Sequence, residues 1–351
     1  MQEKDDYDAK AVLESYWKFV RENPQDFNGW TYLLQHVETV DLIEDVRAAY
    51  NAFLPVYPYC YAYWIRYSEI EKKHENWQRA LAILHRSLEA IPLSSDLWIA
   101  YLELFYKIYE NHEGFDNLFY QQCETAVQTV GIDYRSDILW ERYIEWELAR
   151  KNLKRVTDIY LRLSAVPTKL YNKHWDNFIA FVRDHHPRDI LSYDEYEDLR
   201  KVTCQELGLT YRPGNIIISA RSEMPSNHVQ VIARPLRNIL ILFSDPVIGD
   251  QGKSREVILP EDKLKAGMKE RIVASVVGAH ESCEEAIDKR YRFEEKIKRS
   301  YFHVKPLDLK QLKNWDSYLD FETAEGDHDR IVVLFERCLI PCAQYEQFWA
   351  K

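Results

Sequence analysis

Large aromatic residues recur along this chain at a helical-repeat period. Trp30, Trp64 and Trp98 are spaced by 34 residues, Trp140 follows after 42, Trp175 after 35, and Trp315 and Trp349 are again 34 apart. Around each Trp the apolar positions follow a helical stripe. Tyr67, Tyr101, Tyr143 and Tyr318 lie three residues after Trp64, Trp98, Trp140 and Trp315, with Phe178 in that place after Trp175 and Leu33 after Trp30. Glu71, Glu147 and Glu322 lie seven residues after their Trp. Positions i, i+3 and i+7 share one helical face, so each Trp marks the first helix of a unit. A second helix of small and apolar residues with an Arg follows, as in 80–91 and 331–340. A proline then closes the unit: Pro58, Pro92, Pro167 and Pro341 stand 28, 28, 27 and 26 residues after Trp30, Trp64, Trp140 and Trp315. Proline cannot continue a helix and marks the turn into the next unit.

A period in this range denotes stacked helical hairpins. The predicted fold is therefore all-α, a solenoid of helical hairpins interrupted by one long irregular insert. Trp30, Trp64, Trp98, Trp140, Trp175, Trp315 and Trp349 are its expected structural anchors, wedged between helices because a single hairpin cannot bury its apolar face alone.

The pattern breaks in two places. The wider spacing from Trp98 to Trp140 predicts a lengthened hairpin loop near 111–116, at Gly114. From Leu209 to Pro260 the texture changes to scattered Pro and Gly with β-type runs at 216–218 and 239–243, which reads as a poorly ordered linker or insert. Helix is expected again from Glu261 toward Arg299. The chain thus divides into an N-terminal repeat array over 1–208, an irregular segment over 209–260, and the start of a C-terminal array over 261–351. Trp349-Ala350-Lys351 opens a first helix and stops, which reads as a repeat cut short.

Composition supports helices. The 351 residues include only 10 Gly and 13 Pro, the two residues least compatible with helix interiors. The net charge of −11 argues against broad, nonspecific nucleic-acid binding, which needs clustered Lys and Arg. Cys60, Cys123, Cys204, Cys283, Cys338 and Cys342 read as reduced thiols. The N-terminus, Met1-Gln2-Glu3-Lys4-Asp5-Asp6, is acidic and lacks the apolar core of a signal peptide. The longest apolar run falls far short of a membrane span, so a soluble intracellular protein is expected.

Candidate chemistry is sparse. No phosphate-binding glycine loop occurs. His185-His186 beside Pro187 reads as a pair of exposed turn residues, and Glu284-Glu285 and Glu294-Glu295 read as solvated helix faces. No catalytic, cofactor-binding or metal-ligating residue is identified. One segment carries a functional expectation: Lys289, Arg290, Arg292, Lys296, Lys298, Arg299 and Lys305, interleaved with Tyr291, Phe293, Tyr301 and Phe302. Basic and aromatic residues in alternation suit an RNA backbone or an acidic partner peptide. The competing reading is a solvated helix whose aromatics face the core.

The pattern Trp-x2-Tyr-x3-Glu, an Arg-bearing second helix and a Pro resembles the HAT repeat, a relative of the tetratricopeptide repeat found in RNA-processing proteins. Whole stretches resemble the pre-mRNA-processing factor 39 family: Asn23-Pro24-Gln25-Asp26-Phe27 to Trp30, Tyr57-Pro58-Tyr59-Cys60-Tyr61, Ala90-Ile91-Pro92-Leu93-Ser94 to Trp98, Arg135-Ser136-Asp137 to Trp140, Tyr301 to Leu307, and Val333 to Cys338. The resemblance covers roughly 15–207 and 285–351 and leaves out 209–260. It implies a nuclear, non-catalytic splicing scaffold that associates with proteins of the U1 small nuclear ribonucleoprotein, the U1 C protein among them, and supports 5′ splice-site recognition. RNA contact would be secondary. It also implies pairing with itself or a related HAT protein through C-terminal repeats mostly absent here, so this chain is expected to be largely monomeric. The alternatives are a HAT-repeat scaffold of mRNA 3′-end cleavage or ribosomal RNA processing, and a helical-repeat subunit of a protein prenyltransferase. The last family places Arg, not Tyr, three residues after its Trp.

Overall fold

The structure, a computed structural model, describes residues 2–211 and 260–351, without the side chains of 2–9 and 260. Most of the irregular segment expected over 209–260 therefore lies outside the described residues. Every regular element among the described residues is a helix: α1 (Gln2–Glu22), α2 (Phe27–Val40), α3 (Ile43–Phe53), α4 (Tyr61–Lys73), α5 (Trp77–Ala90), α6 (Ser95–Tyr109), α7 (Phe115–Val130), α8 (Asp137–Ala149), α9 (Leu153–Leu163), α10 (Tyr171–Asp184), α11 (Pro187–Ile190), α12 (Tyr193–Glu206), α13 (Pro260–Glu294), α14 (Leu309–Glu325), α15 (His328–Cys342) and α16 (Glu346–Trp349). Helices adjacent in sequence pack side by side, as α4 does on α5, α5 on α6 and α14 on α15, giving the expected all-α array of helical hairpins. The described residues form two compact units, Met1–Leu139 with Arg290–Lys351, and Trp140–Lys289.

Local chemistry sets the hairpin boundaries. Asp26, Ser94, Asp308 and Asp327 cap α2, α6, α14 and α15 by accepting hydrogen bonds from the backbone N–H of Asn28, Leu97, Gln311 and Arg330. Such caps satisfy donors that the first helical turn leaves unpaired. The reversal between first and second helix uses one residue in the left-handed region, eleven positions after the Trp: Asp41, Glu75 and Lys151, each at φ +60°, and Gly326 at +84°. Only the last is the residue type that adopts this conformation without strain.

The Trp side chains fix each unit to the turn before it. The indole Nε1 of Trp30, Trp64 and Trp98 donates to the carbonyl of Pro24, Pro58 and Pro92 at 2.9, 2.9 and 2.8 Å, always six residues back. A buried indole N–H needs an acceptor, and the turn carbonyl supplies one. Trp315 differs. It stands seventh in α14 rather than fourth, so the residue six back, Leu309, is already helical. Its Nε1 is buried without a partner.

Two boundary expectations change. The eight additional residues after Trp98 do not sit in one loop. Taking the preceding unit as reference, α6 has 15 residues where α4 has 13, and α7 has 16 where α5 has 14. The turn 110–114 is likewise two residues longer than 74–76, and the connection 131–136 two longer than 91–94. Spreading the insertion keeps Trp140 fourth in its helix, as Trp64 and Trp98 are. Pro341 does not end α15, which continues through it to Cys342.

Candidate partner-binding surface

The expected basic segment begins in the last turns of α13. Helical phase decides which of its residues can meet a partner. Cys283, Ile287, Arg290, Phe293, Glu294 and Ile297 are buried, at spacings of three and four that put them on one face. Lys289, Arg292, Lys296, Lys298 and Lys305 are exposed, and Arg299 is half-buried. Arg290 is therefore not a surface contact. Its Nε and Nη2 donate to Glu322 Oε2 and Oε1 at 2.9 and 2.6 Å, with both side chains buried. The same fork joins Arg47 to the buried Glu71 at 2.7 and 2.8 Å. Arg330 adds a 3.1 Å bond to Glu322. In the unit Trp140–Lys289, Glu147 is also buried and accepts from Asn152 at 2.7 Å, with Arg155 at 3.7 Å. The Glu seven residues after Trp is thus an internal anion that binds neighbouring helices through bidentate or paired donors.

Glu294 is a second correction, because it is buried rather than solvated, whereas Glu284, Glu285 and Glu295 are exposed. Arg337 donates to it at 2.7 and 2.5 Å and reaches Asp133 at 3.3 Å, while Tyr318 donates its hydroxyl at 2.9 Å. Burial alone raises the Glu294 pKa. The Arg337 charge and these hydrogen bonds more than offset it and hold the carboxyl below its ordinary value of 4.5. Arg337 stays protonated, because Asp133 and Glu294 more than compensate its burial.

The exposed cations sit on a fixed backbone. Gln311, itself buried, accepts from Lys298 N–H at 3.0 Å and donates to the Lys296 carbonyl at 2.5 Å. The Arg292 guanidinium lies 4.7 Å from the Phe293 ring centre and 5.3 Å from that of Phe321. Phe293 faces inward and stacks on Tyr318 at 4.8 Å, whereas Tyr291 and Tyr301 are exposed. Phe302 and His303 reach Tyr57 and Phe27, each at 6.2 Å between ring centres.

The Trp anchors divide likewise. Trp30, Trp64, Trp98, Trp140 and Trp315 are buried. Trp175 is half-buried and stacks on His280 at 4.5 Å. Trp349 is 52 % exposed. It nonetheless donates Nε1 to Ala343, six residues back, at 2.9 Å. His185 and His186 are half-buried and bond the backbone at Phe181 and Arg188. All six cysteines are buried free thiols. No helix among the described residues is long and apolar enough to cross a membrane.

Residues 14–180 match the family described as the PRP39 N-terminal HAT repeat, and residues 288–351 the PRP39 C-terminal HAT repeat. The two matches take in well over half of the chain and frame it at both ends. The chain belongs to the PRP39 family. Pre-mRNA-processing factor 39 of Homo sapiens is 39 % identical over 339 residues, 96 % of this chain and 46 % of the relative. That of Danio rerio is 40 % identical over 342 residues, 95 % of this chain and 41 % of the relative. The chain therefore spans less than half the length of these two curated PRP39 relatives. A more distant relative, the mRNA 3′-end-processing protein rna14 of Schizosaccharomyces pombe, is 27 % identical over 173 residues, 46 % of this chain and 23 % of the relative.

Proposed function

We propose that this chain is a non-catalytic scaffold of pre-mRNA splicing in the nucleus, which associates with proteins of the U1 small nuclear ribonucleoprotein, including the U1 C protein, and supports 5′ splice-site recognition. The observation that carries the reading is the PRP39 likeness over nearly the whole chain. Hairpin repeats that contact mainly their neighbours build extended surfaces suited to such a role. The net charge of −11 favours a protein surface over RNA as the main ligand. Arg292, Lys296, Lys298 and Lys305 form the proposed contact, with Lys289 exposed on the preceding turn of α13. The 3′-end-processing alternative rests on a likeness over less than half of the chain.

Capture of the tagged chain from nuclear extract tests the reading. U1 proteins are expected in the captured material. Recovery of 3′-end-processing components with no U1 protein would overturn it.

A further inference from the structure

A cleft in the unit that contains α4 and α6 gathers three polar side chains with no hydrogen-bond or ion-pair partner among the described residues. It has a volume of about 240 Å³ and is bounded by the starts of α4, α6 and α8, the connections that precede α6 and α8, the loop before α14, and α15. Tyr61, Asp96 and Tyr301 line it. Neither the Asp96 carboxylate nor the hydroxyls of Tyr61 and Tyr301 have a hydrogen bond or ion pair among the described residues. Leu93 and Ile138 add apolar wall, and Ile138 is 52 % exposed at the rim.

The charges around the cleft do not cancel at Asp96. Arg337 is committed to Glu294 and Asp133, and Arg135 Nε stands 3.9 Å from Glu294. Those two cations are matched by those two anions, so Asp96, in the first turn of α6, is the carboxylate of the cleft without an ion-pair partner. Asp96 is exposed at the mouth of the cleft, yet the surrounding walls strip part of its water and raise its pKa. Tyr61 is raised too, first by burial and then by Asp96. A cation entering between them would relieve both.

We propose that this cleft receives one arginine side chain of a partner protein, with the guanidinium paired to Asp96 and the rings of Tyr61 and Tyr301 flanking it. A guanidinium presents five donors in a plane, enough to serve the carboxylate and both hydroxyls, and it stacks on aromatic faces. Its methylene stem meets Leu93 and Ile138. An ammonium has a point charge and three donors, and matches this lining less well. The inference goes beyond the splicing reading and does not depend on which particle the protein joins.

The test is fluorescence anisotropy with a labelled Gly-Ser peptide carrying three arginines, alongside otherwise identical peptides carrying lysine or citrulline. The arginine peptide is expected to bind the chain saturably, the lysine peptide more weakly and the neutral citrulline peptide not at all. Asp96→Asn and Tyr301→Ala are each expected to weaken arginine-peptide binding about five- to tenfold. Glu110→Gln, which removes an exposed charge elsewhere, is expected to leave it unchanged. Circular dichroism verifies folding, and the isosteric Asp96→Asn decides the matter if Tyr301→Ala does not fold. Wild-type affinity in Asp96→Asn, or equal binding of the citrulline peptide, would overturn the proposal whatever nuclear extract yields.

Discussion

The guanidinium of Arg162 lies 5.6 Å from the ring centre of Trp140, and the two residues are 22 apart in sequence. Arg86 over Trp64 at 5.5 Å and Arg337 over Trp315 at 5.6 Å repeat both the spacing and the distance. The second helix of a hairpin thus places a cation on the Trp of the first, which adds to apolar burial. Together with the indole bond to the preceding turn, this gives Trp64 two directional contacts, one behind it and one ahead.

The anchoring role sets the cost of losing a Trp. Trp98→Ala is expected to destabilise the fold by about 3–5 kcal/mol in urea unfolding followed by circular dichroism. A loss below about 1 kcal/mol would mean that the ring does not anchor its hairpin.

Trp315 and Trp64 separate the indole bond from the ring volume. Trp64→Phe loses both, whereas Trp315→Phe removes a donor that has no acceptor. Trp64→Phe is expected to cost about 1 kcal/mol more than Trp315→Phe, although Trp315 is as deeply buried. Equal costs would show that the bond to Pro58 contributes nothing.

The buried anion is expected to matter more than the surface cations. Glu322→Gln leaves Arg290 and Arg330 without their charge partner and is expected to cost about 3–5 kcal/mol. Lys296→Ala is expected to stay within about 0.5 kcal/mol of wild type. Chemical denaturation of the two variants side by side checks this ordering.

Much of this was legible in advance. Trp64, Tyr67 and Glu71 announce a first helix by spacing alone, and Pro58 and Pro92 mark the turns because nothing else explains their offset. The inward turn of Arg290 was also available: Cys283, Ile287, Phe293 and Ile297 carry an apolar stripe along α13, and Arg290 falls on it. Charge alone does not reveal that phase. The partners of Arg337 were not available, because Asp133 and Glu294 meet it from distant parts of the chain and no periodicity links them. The cleft at Asp96 is of the same kind, because Tyr301 and Arg337 join it from a distant part of the chain.

Acid should loosen the Glu294 site in a defined direction. Its folded pKa is depressed, so its contribution is complete above its unfolded value, near 4.5, and is lost as pH falls through the folded value. Stability measured from pH 6 to pH 3 should therefore fall below about 4.5, and Glu294→Gln, already weaker at neutral pH, should fall less steeply. Parallel profiles for the two proteins would remove Glu294 from the acid response.

The strained reversals offer a gain. Lys151 holds φ +60° with a side chain that disfavours it, so Lys151→Gly is expected to raise stability by up to about 1 kcal/mol. Gly326→Ala, at φ +84° with open space around it, is expected to lower stability by a similar amount. The midpoints of urea transitions report both signs.

Docking on U1 particles is the role proposed for this PRP39-family chain. Cosedimentation of purified U1 particles with the chain at moderate salt tests it most directly. The chain is expected to move with the particle, and the folded Arg292→Glu/Lys296→Glu/Lys298→Glu variant to do so less. A chain that stays at the top of the gradient while the particles sediment intact would contradict it.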